Sequence, residues 1–138
     1  MSVGKIKTPK PKGYGKLSAP PPTSIDHNTL RIVFGFRHIV KGFDLSAGDG
    51  KVAGNFIDGL RMRCTMTWAE LRRQNRERLG SEKISASIRV GIPQSVAPEK
   101  KEDLLCFRFG NLERFIGFQD GATFEIVWID HSGECYDH

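Results

Sequence analysis

The 138-residue sequence lacks long apolar runs, and its longest hydrophobic stretches span only a few residues. A transmembrane helix needs about 20 consecutive apolar residues, so we expect no segment that crosses a membrane. The N-terminus also lacks the apolar core of a secretory signal peptide. Together these absences favour a cytoplasmic protein without a membrane partner.

Cysteine is scarce, and the three residues, Cys64, Cys106 and Cys135, are too few and too irregularly spaced for a disulfide framework. An odd number of this kind is typical of free thiols in a reducing compartment. The chain also has no G-x-S-x-G, phosphate-loop or HExxH motif. These absences argue against covalent and nucleotide-dependent chemistry, and we expect no cofactor.

Acidic residues are absent from residues 1–24, which are rich in Pro, Gly and Lys. Such a composition buries too little surface to offset the entropy lost on ordering, so we expect a disordered tail. Residues 25–138 are expected to form a single domain. The tail either binds nucleic acid or an acidic partner, or only keeps the protein soluble. Its lysines are Lys5, Lys7, Lys10, Lys12 and Lys16.

The remaining body is neutral, with 16 basic and 16 acidic side chains, but these charges are unevenly distributed. Residues 61–89 carry a net charge of +5, whereas residues 90–138 carry −5. The cationic segment is suited to phosphates or, in the alternative, forms an ordinary solvated helix face. Its candidate nucleic-acid-binding residues are Arg72, Arg73, Arg76, Arg78 and Arg89.

Hydrophobic periodicity predicts one strand and two helices in the first half of the body. Alternation predicts a strand within residues 30–40, and helical spacing predicts a helix over residues 51–64. A capping-box pattern at Thr67 and Glu70 predicts that a second helix begins there. Gly80 is placed where a C-terminal glycine usually ends a helix. We expect this second helix to expose many of the arginine side chains of the cationic segment to solvent.

The second half of the body is predicted to form antiparallel sheet. Asp120-Gly121 is typical of a two-residue hairpin turn. In the strand that follows, Ile126 and Trp128 are expected to share one face. The element order predicts an α+β fold, with an antiparallel sheet of four to five strands packed against a helical hairpin. The alternating stretches cover residues 83–90, 104–110, 114–118 and 123–130.

The last eleven residues, WIDHSGECYDH, combine histidine, cysteine and tyrosine. His131, Cys135 and His138 have a spacing compatible with zinc ligands, with Cys106 or His27 as a fourth. Structural zinc sites usually need four ligands, and the sequence has no second cluster. A metal site is therefore the least favoured interpretation of this segment.

Metal-independent cleavage of RNA is a second interpretation of the same segment. The reaction needs groups that accept and donate protons and cations that neutralise a pentacovalent phosphorane. His131 and Tyr136 are candidates for proton transfer, and Arg89, Arg108 and Arg114 are candidates for the cations. The alternative is that all of these are surface polar groups on a sheet.

The predicted order of elements resembles that of the RelE/ParE-like superfamily of bacterial toxins. It consists of a strand, a helical hairpin and a series of antiparallel strands, and it ends in an H-x4-Y motif. The resemblance covers residues 28–138 and is carried by FRFGNLERFIGFQDGATFEIVWIDHSGECYD. It implies a ribosome-dependent mRNA endonuclease that an antitoxin protein holds inactive. The catalytic residues implied in this chain are Arg108, Arg114, His131 and Tyr136. The ParE branch of the superfamily acts on gyrase instead.

The alternative function is a non-enzymatic module that binds nucleic acid or protein through its basic tail and arginine-rich helix. The stretches TWAEL, ERLGSEKI and FIGFQDG also resemble small bacterial proteins, a likeness that implies no particular activity.

Overall fold

The structure is a computed structural model that describes residues 25–137, apart from the side chain of Ala47. The α+β class predicted from the sequence is confirmed. Among the described residues, no helix is long and apolar enough to cross a membrane. The tail predicted over residues 1–24 lies outside the described residues. The elements are β1 (Val33–Gly35), α1 (Gly50–Arg63), α2 (Trp68–Arg72), β2 (Ser81–Lys83), β3 (Leu105–Arg108), β4 (Arg114–Asp120) and β5 (Thr123–Asp130).

The strands form one sheet in the order β1-β5-β4-β3-β2. Its centre is the β4–β5 hairpin, in which Asp120 pairs with Thr123 across a two-residue turn. Gly121 in this turn has a φ of +65°, a left-handed conformation that glycine adopts without steric cost. The predicted hairpin is present, but its turn residues are Gly121 and Ala122, and Asp120 is the last paired residue of β4.

β1 runs parallel to β5, so the sheet is mixed rather than wholly antiparallel. The chain leaves β1, passes through both helices, and enters the sheet again at the opposite edge as β2. β1 is also shorter than the strand predicted within residues 30–40. Alternating side chains indicate the two faces of a strand, but they do not specify its direction relative to a neighbour.

Two hydrophobic cores lie on opposite faces of the sheet. The helix-side core packs α1 and α2 against the sheet, and Trp68 donates a hydrogen bond to the Ala122 carbonyl at 2.8 Å. The loop-side core is covered by residues 84–98 and by the C-terminal residues 131–137. Its buried members are Ile84, Val96, Leu104, Cys106, Ile116, Phe118, Val127, Trp128, Cys135 and Tyr136.

A β-bulge in β5 determines the face on which Trp128 lies. Gly117 pairs with Ile126, whereas Ile116 pairs with Trp128, so Val127 is an extra residue in β5. An extra residue of this kind disrupts the alternation of side chains. Trp128 consequently lies in the loop-side core and Ile126 in the helix-side core. The prediction that they share a face is wrong.

Both helices begin at the caps that their sequences favour. The carboxylate of Asp49 accepts hydrogen bonds from the Lys51 and Val52 amides at the start of α1, which confirms the first predicted helix. Thr67 and Glu70 form the predicted capping box of α2.

α2 ends at Arg72, earlier than predicted. The side chain of Asn75 accepts a hydrogen bond from the Glu77 amide at 2.8 Å, and its carbonyl binds the Arg78 and Gly80 amides, both at 2.9 Å. Asparagine side chains that bond to nearby amides compete with helical hydrogen bonding. Residues beyond Arg72 therefore form turns, and the prediction of a helix that continues to Gly80 is wrong.

The strand predicted over residues 83–90 is replaced by β2 and a 3-10 turn at Ser85–Ser87. The Ser85 hydroxyl accepts a hydrogen bond from the Leu104 amide at 2.8 Å, which takes the chain out of the ladder. Beyond the turn, the Arg89 amide binds the Cys135 carbonyl at 2.8 Å. This segment therefore pairs with the C-terminus instead of extending the sheet.

Candidate nucleic-acid interface

Three of the residues predicted as catalytic lie at one end of the sheet. Arg108 in β3 pairs with Arg114 in β4, and Arg114 pairs with Asp130 in β5, the residue before His131. The antiparallel order of these strands brings the two arginines onto neighbouring positions. The two arginines differ in burial, however, since Arg108 is half-buried and Arg114 is buried, and only an exposed guanidinium can reach a ligand.

Arg114 is buried, with 5% of its surface exposed. Its Nη1 donates to the carbonyl oxygens of Asn111 at 2.8 Å and Glu113 at 3.1 Å. Its Nε is buried and makes no hydrogen bond. The guanidinium thus stabilises the turn between β3 and β4 and does not face solvent.

Tyr136 is buried as well, and its hydroxyl lies 3.4 Å from the Cys106 sulfur. Burial raises the pKa of the Tyr136 hydroxyl to about 12 and that of the Cys106 thiol to about 11. Both groups therefore hold their protons near neutral pH. The tyrosine fills the loop-side core and is not accessible to a large substrate.

Asp130 organises the C-terminal segment. Its two carboxylate oxygens accept hydrogen bonds from the backbone amides of Gly133 at 3.0 Å, Glu134 at 3.1 Å and Cys135 at 2.9 Å. Because the carboxylate is 1% exposed, these bonds replace the water that it loses on burial. They turn the chain so that Cys135 enters the loop-side core.

His131 is half-buried and lines a separate pocket of about 360 Å³ together with Gly42 and Phe43. Arg108, Arg114 and Tyr136 do not line this pocket. Arg114 does contact the Tyr136 hydroxyl, where its charge acts to lower the pKa of that group against the larger effect of burial. The structure therefore brings these two predicted residues together inside the protein, whereas His131 lines a different space.

Among residues 25–137, no three His, Cys, Asp or Glu side chains are placed to hold a metal ion. His138, which completes the zinc-compatible spacing, lies outside the described residues. Burial also raises the pKa of the Cys135 thiol, which disfavours the thiolate that a metal would bind.

Arg63, at the end of α1, connects three parts of the chain from inside the protein. Its guanidinium donates to the carbonyl oxygens of Leu79 at 3.0 Å, Arg78 at 3.3 Å and Arg108 at 2.7 Å, and also to that of Gly59 in α1. Burial lowers its pKa to about 10, so the group remains charged near neutral pH. Arg63 therefore fixes the backbones of Arg78 and Arg108 beside each other.

An open cleft of about 580 Å³ lies at this junction, between α1, residues 77–79 and residues 108–111. We call it the arginine cleft. Arg78 and Arg108 line it, and neither forms an ion pair within the described residues. Two asparagines add amide donors and acceptors to the lining, and the carboxylates there are those of Asp58 and Glu77.

Residues 72–83, the basic segment, border the arginine cleft on one side. Arg73 is exposed and forms no ion pair within the described residues, whereas Arg76 is paired with Glu82 at 3.2 Å. Arg89 lies outside this segment and is paired with Asp137 at 3.5 Å. The arginines predicted to bind nucleic acid are thus partly gathered on one surface, and the predicted tail lysines lie outside the described residues.

The basic segment also borders a second cleft, of about 400 Å³, at the turn end of the β4–β5 hairpin. We call it the Gln119 cleft. Arg72, Lys83 and Lys100 line it, and the carboxylate in its lining is that of Asp103. The basic segment therefore contributes cations to both clefts, Arg78 to the arginine cleft and Arg72 and Lys83 to the Gln119 cleft.

Arg63, Lys100 and Gln119 help to build the two clefts, and none of the three was predicted from the sequence. Arg63 continues the apolar stripe of α1 that contains Phe56, and an arginine at such a position is a sign of a buried guanidinium. Lys100 and Gln119 lie 19 residues apart and meet only in the folded chain, so no local pattern identifies them.

Comparison with protein-family models, with curated protein sequences and with solved structures finds no match to this chain. The likeness to the RelE/ParE-like superfamily stays a prediction.

Proposed function

We propose that the protein is a nucleic-acid-binding module that holds single-stranded RNA by its phosphate backbone. The observation that carries this proposal is the arginine cleft, where Arg78 and Arg108 present cationic side chains without a carboxylate partner in the described residues. Guanidinium groups bind phosphate oxygens through paired N–H donors.

The placement of Arg63 supports the same conclusion. Arginine side chains lose conformational entropy when a ligand orders them, and a fixed backbone lowers that cost. Because Arg63 binds the carbonyl oxygens of Arg78 and Arg108 directly, the backbones of these two residues are held beside each other. A ligand would then have to order only the two side chains, which supports the proposal.

RNA suits the polar groups that accompany the arginines. Asn55 and Asn111 line the cleft, and their amides offer both donors and acceptors. The 2′-hydroxyl and the exposed base edges of single-stranded RNA can use both kinds of group. A DNA strand of the same sequence lacks the hydroxyl and is expected to bind more weakly.

Cleavage of RNA by this protein stays a separate prediction. Of the four residues implied by the RelE/ParE resemblance, Arg108 and His131 are half-buried, while Arg114 and Tyr136 are buried and bonded within the protein. A cleavage site would therefore depend on Arg108 and His131. The ribosome and an antitoxin likewise stay predicted partners.

The test is binding of a 3′-labelled RNA oligonucleotide, measured by fluorescence anisotropy over a range of salt concentrations. The Arg78→Gln, Arg108→Gln double variant removes two phosphate contacts. Each phosphate contact to a single strand contributes about 0.7 to the slope of log K against log salt, so we expect that slope to become shallower by about 1.4, with weaker binding at every salt concentration.

The matched control is the Arg31→Gln, Arg89→Gln double variant. It removes the same charge from two exposed arginines that line neither cleft. We expect it to bind almost as the unaltered protein does. Equal losses in both double variants would mean that RNA responds to net charge alone, and the proposed site would be rejected.

A further inference from the structure

We propose that the Gln119 cleft is a site for a phosphate monoester, the terminal phosphate of the bound RNA. This inference rests on the proposed function for the source of the phosphate, but not for the chemistry of the site. The arginine cleft would hold internal phosphates, and the Gln119 cleft would recognise the end of the strand.

The central observation is that two cations converge on one neutral residue. The Lys100 ammonium donates to the backbone carbonyl of Gln119 at 2.8 Å, and the Arg72 guanidinium donates to the side-chain oxygen of the same glutamine. Neither contact neutralises a charge, since both acceptors are amide oxygens. Arg72 and Lys100 form no ion pair within the described residues, so two positive charges are held together without compensation.

The cations are held in place by groups that are themselves fixed. The Gln119 amide donates to the Gly121 carbonyl at 2.9 Å, so the glutamine does not rotate freely. The Arg72 guanidinium lies over the Trp68 ring, 5.4 Å from its centre, and Trp68 is bonded to the same hairpin turn. A ligand therefore meets donors that are already in position, which favours affinity.

The charge of the site fits a monoester better than a diester. The lining contains three cations, Arg72, Lys83 and Lys100, and one carboxylate, Asp103. Lys83 and Asp103 are 3.4 Å apart, but both side chains are more than 60% exposed, so water and salt screen this pair. The net charge of the lining is thus about +2, which a monoester of charge about −2 balances and an internal phosphodiester of charge −1 does not.

His27 completes the wall of the cleft next to the hairpin turn. Its ring lies so close to Gly121 that a Cβ atom there would be 3.4 Å from the imidazole. The imidazole adds a ring N–H donor to the lining of the cleft. An anion in this cleft would be approached by donors from Arg72, Lys100 and His27, as expected for a group with three terminal oxygens.

The first experiment compares three RNA oligonucleotides of one sequence, carrying a 5′-phosphate, a 3′-phosphate or two hydroxyl ends. We expect one phosphorylated form to bind about tenfold more tightly than the hydroxyl form. Lys100→Gln should remove this difference, while Lys101→Gln should keep it. Lys101 is the neighbouring lysine, loses the same charge and does not line the cleft. Thermal unfolding of both variants confirms that each remains folded.

A second experiment separates this site from the proposed function. Inorganic phosphate and adenosine 5′-monophosphate are titrated at constant ionic strength, and the NMR signals of the Gln119 side-chain amide and the Gly121 amide are followed. Shifts that saturate in the unaltered protein and in Lys101→Gln, but not in Lys100→Gln, support the site even if no RNA binds. RNA that binds equally with either end, together with unshifted signals, overturns the site and leaves the proposed function standing.

Discussion

Arg63 shows how a long charged side chain is held inside a protein without a carboxylate. Its guanidinium meets carbonyl oxygens on several sides, and the Phe107 and Phe115 ring centres each lie 5.2 Å from it. Carbonyl dipoles and aromatic faces replace the water that the charge loses. An arginine suits this role because its planar group donates in several directions at once.

Replacement of this residue should therefore be costly for stability. Arg63→Met retains much of the side-chain volume but leaves the carbonyl oxygens of Leu79 and Arg108 without their donor. We expect the free energy of unfolding to fall by about 2–4 kcal/mol, measured by urea denaturation. Arg61→Met, at an exposed arginine of the same helix, should change it by less than about 0.5 kcal/mol. Equal stability of the two variants would contradict this account of Arg63.

At the scale of elements, the bounds of α1 and the start of α2 were predictable, whereas the end of α2 was not. Asp49 and the Thr67–Glu70 capping box act within one helical turn, so the local sequence contains all that they need. The end of α2 depends on Asn75 and on Arg63, which binds the Arg78 and Leu79 carbonyls from another helix. A contact of that kind has no counterpart in local spacing.

Gly80 was expected to end a helix, and it is needed for a different reason. A Cβ atom at this position would collide with the backbone carbonyl of Gln74. We expect Gly80→Ala to lower the free energy of unfolding by about 1–3 kcal/mol, because the turn must shift to accept the methyl group. Differential scanning calorimetry of the purified variant measures the change.

Gly54 in α1 is the matched control for Gly80. A Cβ atom there would meet no atom within 4 Å, and the residue is exposed. Gly54→Ala should stabilise the protein by about 0.5–1 kcal/mol, since alanine favours the helix more than glycine does. Destabilisation by both substitutions would show that neither position behaves as the packing around it indicates.

Strands were predicted less well than helix starts, because alternation arises from burial as well as from sheet pairing. Ile84 and Ile88 alternate with polar residues, yet they contact the loop-side core from an irregular segment. In β5 the opposite error occurs, because the extra residue Val127 changes the face of Trp128 within a true strand. Both errors depend on pairing that alternation does not show, with Tyr136 for Ile88 and with Ile116 and Gly117 of β4 for the bulge.

At the scale of the whole molecule, the opposite charges of the two sequence segments partly neutralise each other. Lys83 and Arg89 from the basic part are paired with Asp103 and Asp137 from the acidic part. Arg72, Arg78, Lys100 and Arg108 line the two clefts and form no ion pair among the described residues. Composition predicted a cationic surface on residues 61–89, but which of its residues stay free for a ligand depends on the tertiary fold.

The C-terminal residues 131–137 are bonded to residues 87–89, which belong to the other segment that covers the loop-side core. Tyr136 forms a bridge with Ile88, the Arg89 amide binds the Cys135 carbonyl, and the Asp137 amide binds the Ser87 carbonyl. Removal of this segment would therefore uncover the sheet and also release residues 84–90. The segment that was considered for catalysis or metal binding therefore has a structural role in the loop-side core.

Truncation after Ser132 should consequently remove most of the stability of the protein. Cys135 and Tyr136 are 0% and 3% exposed, and burial of a large apolar side chain contributes about 1.5–3 kcal/mol. With the released segment, the loss approaches the 5–15 kcal/mol that typically holds a domain of this size together. We expect weakened near-ultraviolet circular dichroism from Trp128 and a melting temperature lower by more than about 10 °C.

Tyr136→Phe is the control, because it keeps the aromatic ring in the core; its free energy of unfolding should fall by only about 1 kcal/mol. A truncated protein that melts with the full chain would show that the loop-side core closes without its C-terminus.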